Sequence, residues 1–230
     1  MNQERITALL GRARIFSALD RAALERLAPQ VIPRSHRKGD LIFSQGDPGM
    51  ALYVVAEGLI KISLESERGD EMILATLRPP ELFGELAVID EGPWTASARA
   101  LEPTILLAVT RPVFDQMLRE NPALMHALHR SLGWLLRRSL QQASDLIFMD
   151  LPGRVAKLLL ALAADVGRDS EQGTLLDLTV TQSTLAGLVG GSRPSVNQIL
   201  QAFQAQGYLE LDGRKIIIKR PEMLLRRSTH

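Results

Sequence analysis

Residues 181–208 read TQSTLAGLVGGSRPSVNQILQAFQAQGY. Two short apolar periodicities flank Gly190-Gly191. Before the pair, Leu185, Leu188 and Val189 share one helical face; after it, Val196, Ile199, Leu200 and Phe203 share another. A tight glycine turn between two short amphipathic helices is the helix-turn-helix pattern. Ser192 suits the cap of the second helix, which opens with Arg193. Its outward residues are Arg193, Ser195, Asn197, Gln198 and Gln201, types that hydrogen-bond base edges or phosphates. Downstream, residues 208–211 and 215–218 are β-formers around Asp212-Gly213, which predicts a hairpin. Two helices followed by a basic hairpin make a winged helix-turn-helix. The alternative is an αα-hairpin inside a helical domain. It leaves the wing, the glycine turn and the polar second helix as unrelated features.

The chain has 230 residues, enough for one large domain or two modest ones. No run approaches the ~20 apolar residues of a membrane span. The first residues, MNQERITALLGRAR, lack the apolar core of a signal peptide, so a cytoplasmic location and no membrane partner are expected. Cysteine is absent, which excludes disulfides, thiolate-bound clusters and redox-sensing thiols. Residues 151–230 hold ten Lys/Arg against seven Asp/Glu, in a chain of net charge +1. That mild asymmetry fits local contact with DNA and does not prove it.

Residues 1–28 read as helical, with Ile6, Leu9 and Leu10 on one face and Asp20 placed to cap a second short helix. Pro29 and Pro33 end that pattern. Residues 31–109 change to short β-like runs at 41–43, 51–56, 59–64, 72–77 and 104–109. Turn clusters separate them, at residues 38–40, 46–49 and 57–58 and at Arg68-Gly69-Asp70. The spacing predicts a small antiparallel barrel or sandwich, with Ile60, Ile62 and Leu64 on one face. A long helix starts at Asn121-Pro122 and runs to about Phe148. Met125, Leu128, Leu132, Leu135, Ser139, Gln142 and Leu146 step alternately by three and four, an a/d seam. The simplest partner for such a seam is the same helix of a second subunit; the alternative is packing on its own barrel. Polar Ser139 and Gln142 suggest a register device or the wall of a polar cavity. Asp150 can cap the next helix, with Pro152 in its first turn, so 150–152 is the expected hinge. A β-prone run at 175–180 leads into the helix-turn-helix. The basic tail, residues 220–230, is expected to fray.

These pieces, in this order, resemble the CRP/FNR family of bacterial transcription regulators. The resemblance rests on Gly46-Asp47 with Tyr53-Val54-Val55 and Glu57-Gly58, on Phe83-Gly84-Glu85-Leu86-Ala87, on residues 150–154, and on Val189-Gly190-Gly191-Ser192-Arg193. It spans nearly the whole chain and implies an α+β fold. Residues 1–118 would form an antiparallel, jelly-roll-like β-roll that senses an effector. Residues 119–149 would be the dimerisation helix and hinge, and 150–230 the winged helix-turn-helix. It implies a homodimer on a palindromic operator in double-stranded DNA, and contact with RNA polymerase if the protein activates. A two-fold dimer must meet successive major grooves ~34–36 Å apart, so ligand binding that resets helix and hinge resets that spacing.

The implied sites carry over unevenly. In the cyclic-AMP-binding branch, Gly84 and Glu85, followed by Leu86, correspond to residues that hold the phosphate and a ribose hydroxyl. The next positions, normally arginine and serine, are Trp94 and Thr95. An indole cannot replace the charge-assisted bidentate pair of an arginine. Arg99 is the nearest cation that could compensate. Ser139 stands where that branch contacts the adenine, followed by Leu140 rather than a second hydroxyl. Cyclic AMP is therefore expected to bind weakly or not at all. No cofactor is required. A larger nucleotide such as cyclic di-GMP, a non-nucleotide effector, or a roll plugged by Trp94 are the open alternatives. For DNA, Arg193 corresponds to the arginine that reads guanine, whereas Pro194 and Gln198 depart from the branch. Gln198 suits adenine. Ser195 and Asn197 would add base or phosphate contacts, Thr181, Ser183 and Lys215 would position the phosphate backbone, and Ser192 is a further DNA-binding candidate. An enzyme is the remaining class. The sequence has no zinc spacing, phosphate loop or Ser/His/Asp set, and His36, His126, His129 and His230 do not converge.

Overall fold

The computed structural model describes residues 1–66, 71–170, 172–177, 181–213 and 215–229. The expected turn at Arg68-Gly69-Asp70, the end of the 175–180 run and His230 lie outside the described residues. The chain forms two compact units, residues 1–137 and 138–230.

The first unit begins with helices α1 (Gln3–Arg12) and α2 (Arg21–Leu27). Asp20 caps α2 as expected, its carboxylate accepting from the Ala23 N–H at 2.7 Å. Strands β1 (Ile32–His36), β2 (Leu41–Phe43), β3 (Ala51–Glu57), β4 (Ile60–Glu65), β5 (Glu71–Leu77) and β6 (Leu82–Phe83) follow. After them come α3 (Glu85–Ile89), β7 (Ser97–Ala100), β8 (Thr104–Thr110), α4 (Arg111–Glu120) and α5 (Pro122–Phe148). The strands make two antiparallel sheets, ordered β1-β8-β3-β6 and β2-β7-β4-β5. β3 is apolar on both faces because it has a core on each side. Leu52, Val54 and Ala56 join α1, α2 and α4 in one core. Val55 faces Ile60, Phe83, Ala98 and Leu106 in the second.

Four points here were not foreseen from the sequence. First, Ile60 and Ile62 share the face packed into the second core, but Leu64 does not join them: it is partly exposed, and Ser63 is buried. The extra residue of the nearby bulge lies on β5, where Ile62 pairs with Ala75 and Ser63 with Ile73. Second, α4 was not legible as a helix, although its fully buried Phe114 packs edge-on against Phe16, ring centroids 6.2 Å apart. Third, the α5 seam is partly used within the chain. Leu128 is 3% exposed and joins the core beside α1 and α4, with Leu132 packed against it. The exposed apolar stripe is offset by about one residue: Leu136, Leu140 and Ile147, at 61%, 61% and 73% exposure.

The second unit holds the end of α5 and then α6 (Leu151–Val166), capped by Asp150, which accepts from the Gly153 N–H at 2.8 Å. β9 (Arg168–Ser170) and β10 (Gly173–Asp177) precede the helix pair α7 (Gln182–Val189) and α8 (Arg193–Ala205). β11 (Leu209–Asp212), β12 (Lys215–Ile218) and α9 (Pro221–Arg227) complete the chain. One antiparallel sheet, ordered β11-β12-β10-β9, backs the helices. The expected hairpin is present, with Leu209 opposite Ile218 and Asp212 opposite Lys215. The fourth point is the tail. Residues 221–227 are helical, Leu224 is fully buried in the core with Val155, Leu159 and Phe203, and Arg227 pairs with Asp150 at 2.5 Å.

Candidate functional site

The α7–α8 turn is built by local chemistry. Thr181 caps α7: its hydroxyl accepts from the Thr184 N–H at 3.2 Å and lies 3.1 Å from the Thr184 hydroxyl. Gly190 ends α7 in the left-handed region at φ +63°, and the Gly191 N–H closes the turn on the Ala186 carbonyl at 3.0 Å. A Cβ on Gly191 would meet Leu151 Cδ1 at 2.7 Å, so any larger residue there would require the Leu151 side chain of α6 to shift. Ser192 caps α8 as expected, accepting from the Ser195 N–H at 3.2 Å, with the two hydroxyls 2.7 Å apart. Ser192 and Ser195 are thereby engaged with each other, holding the start of the helix.

Val196, Leu200 and Phe203 bury one side of α8. Arg193, Pro194, Gln198 and Gln201 are exposed on the other, with Asn197 half-buried between them. Pro194 sits in the first turn, where its missing N–H costs nothing. The positive end of the helix dipole lies beside Arg193, an arrangement that favours a phosphate or an electron-rich base edge. Thr181, Ser183 and Lys215 are exposed as well. Lys219 differs, being paired with Glu210 at 2.5 Å. Sequence reasoning missed Arg154. Its guanidinium donates to the Val189 carbonyl and the Met149 carbonyl, each at 2.8 Å, and to Gly190 O at 3.4 Å.

The roll has its own site region. Gly84 caps α3 at φ +82°, and a Cβ there would meet Trp94 Cζ3 at 2.6 Å. Trp94 is 6% exposed. Its indole stacks on Phe43 with centroids 3.8 Å apart and planes at 9°. Tyr53 lies 6.1 Å from Trp94 and stacks on Phe83 at 5.4 Å. These four rings come from β2, β3, β6 and the segment after α3, so rings from both sheets converge. Nothing in the local sequence announces that convergence.

Glu85 is half-buried beside this cluster, and desolvation raises its carboxyl above the ordinary value. Its own backbone N–H and the Arg14 charge oppose that shift. Leu86 is half-buried. Thr95 is exposed, the reverse of the pocket position expected for it, because its neighbour Trp94 takes the inward place. Arg99 does not compensate: it donates to the Gly39 carbonyl at 2.8 Å. Ser139 is exposed and belongs to the second unit. Arg14 stacks over the Trp134 ring at 3.5 Å, an arrangement unseen in the sequence.

The cyclic nucleotide-binding domain profile matches residues 33–121, and the Crp-like helix-turn-helix domain profile matches residues 153–227. A CRP-like cAMP-activated global transcriptional regulator of Mycobacterium tuberculosis is 36% identical over 222 residues, covering 96% of this chain and 98% of that protein. The chain belongs to the CRP/FNR family of transcription regulators. The cyclic AMP receptor protein of Thermus thermophilus is another CRP/FNR relative, 35% identical over 191 residues, covering 83% of this chain and 85% of that one. Among solved structures, the c-di-GMP responsive global regulator CLP of Xanthomonas campestris superposes with a TM-score of 0.77 at 26% identity, covering 86% and 99% of the two chains. The CRP/FNR family consists of transcription regulators rather than enzymes, and the matched Crp-like helix-turn-helix domain contains the helix pair described above. Among the described residues no helix is long and apolar enough to cross a membrane.

Proposed function

We propose that this chain is a homodimeric, sequence-specific regulator that reads a palindromic operator with α8. The observation that carries the reading is the exposed row Arg193, Gln198 and Gln201 on a helix capped by Ser192. Arg193 reads a guanine through O6 and N7, and Gln198 favours an adenine. Ser183, Thr181 and Lys215 contact phosphates and fix register. Dimerisation uses the exposed stripe Leu136, Leu140 and Ile147, which falls on one side of α5. Met125 and Leu146, at 38% and 39% exposure, flank it. Leu135 and Gln142 are half-buried. Contact with RNA polymerase belongs to this reading if the protein activates transcription.

Two readings of the roll follow. In one, a small-molecule effector there modulates DNA affinity, as the cyclic-AMP-activated and c-di-GMP responsive relatives suggest. In the other, the roll only supports dimerisation. The packed rings around Trp94 favour the second for any ligand bearing a cyclic phosphate.

The test is selection from a random duplex pool with the full-length chain, followed by sedimentation of the free protein. Enrichment of a palindrome and a dimeric species support the proposal. A monomer at micromolar concentration that enriches no palindrome refutes it.

A further inference from the structure

Several residues of the cyclic nucleotide-binding domain depart from what a cyclic phosphodiester needs, and Trp94 is the one that fills space. We infer that Trp94 is the chain's own occupant of that site, so that the roll excludes cyclic nucleotides and the regulator binds DNA without one. The inference rests on the reading of the chain as a DNA-binding regulator.

Four observations carry it. The main chain at Trp94 is tied down on both sides: its N–H donates to Asp47 O and its carbonyl accepts from the Gly46 N–H, each at 2.8 Å. Pro48 and Pro93 bridge beside it. The indole rests on Gly84 so closely that even a methyl group there would collide with it at 2.6 Å. Its face is covered by Phe43 at 3.8 Å, nearly parallel. The space against Gly84 is therefore filled by protein, in a stack that includes Tyr53 and Phe83.

Charge points the same way. A cyclic phosphodiester is an anion, and an anion buried without a cationic or hydrogen-bonding partner is strongly disfavoured. The arginines on either side of this segment, Arg99 and Arg111, donate to main-chain carbonyls, although Arg111 Nε is buried without a partner and the Arg14 charge reaches Glu85. Arg99 holds the Gly39 carbonyl. Arg111 donates to the carbonyls of Gly49 at 2.7 Å and Ala87 at 2.8 Å. Moving the indole aside would return an aromatic side chain to water and break its stack, while the tied main chain stays in place.

The other features of a nucleotide site remain: a left-handed glycine at the start of α3 and a half-buried Glu85 next to it. The inference therefore makes a gain-of-function prediction, because Trp94→Arg both removes the occupant and supplies the cation. The probes are cyclic AMP, cyclic GMP and cyclic di-GMP, each at about 1 mM, where even a millimolar ligand half-fills its site. The DNA is the duplex recovered by selection.

For the full-length wild type, operator affinity should stay within about twofold with every probe. A rise of about tenfold with any of them overturns the inference. The chain has two tryptophans, so Trp134→Phe leaves Trp94 as the sole reporter. Its emission should be that of a shielded indole and should not move on nucleotide addition; a saturable change overturns the inference. Trp94→Arg should bind a cyclic nucleotide in calorimetry. A folded W94R protein that ignores all three probes overturns the assignment of Trp94 as occupant. If W94R fails to fold, the Trp134→Phe titration decides alone. If the wild type binds no DNA at all, the regulator reading fails, and Trp94 emission still judges the occupant.

Discussion

Leu224 and Leu225 are neighbours in the chain and opposites in the structure. Leu224 is fully buried in the core of the second unit, whereas Leu225 is 58% exposed. Replacing Leu224 by alanine removes three buried carbons, about 2.4 kcal/mol at ~0.8 kcal/mol each. The vacated space between α6, α8 and α9 adds a cavity cost, which brings the total to about 3–5 kcal/mol. Leu225→Ala lacks both terms and should stay within ~0.5 kcal/mol of wild type. Urea unfolding of the full-length chain, followed by far-UV circular dichroism, measures both. The transition of the second unit should move to lower urea for Leu224→Ala alone. Equal, small effects would mean that residues 221–227 are a frayed tail, and the packing assigned to α9 would be refuted. A large loss from Leu225→Ala would refute the helix phase.

Other outcomes follow from the same geometry. Arg193→Ala should cost ~1–3 kcal/mol at one base pair of the operator and relax specificity there, read by binding to a panel of single-base variants; uniform weakening across the panel would make Arg193 a phosphate contact instead. Leu140→Asp removes an apolar contact from each subunit, about 2 kcal/mol per dimer or roughly thirtyfold in Kd, measured by sedimentation equilibrium. The burial that raises the Glu85 carboxyl penalises its ionised form in the folded state. Its stabilising contribution is complete below the ordinary value of 4.5 and is lost as pH rises through the elevated folded value. Glu85→Gln should therefore be more stable than wild type at neutral pH, and the two should converge below 4.5 in urea titrations; a constant gap would point to packing rather than protonation.

The helix-turn-helix was legible because its signals are local. Ser192, Gly190 and the spacing of Val196, Leu200 and Phe203 each act within a few residues. The same holds for the caps at Asp20 and Asp150. Strand β7 was not legible, since Ser97, Ala98 and Ala100 are small: they are buried because the strand is covered, not because they are bulky. β1 was hidden for the opposite reason, being an exposed run with no alternation. α9 offered a signal that charge obscured, for Pro221 in the first turn and Glu222 behind it are helix-start residues. The ring cluster around Trp94 depends on which strands meet across two sheets. That is a property of topology, and no window of sequence contains it.

Arg154 has a mechanical consequence. One planar group grips the main chain where α5 ends and where α7 ends, and Lys157 adds a clasp on Asp145 of α5 at 2.6 Å. The last turns of α5 are thus tied to the helix pair by side chains as well as by the bend at Asp150, so the reading helix is braced against α5 from within its own unit.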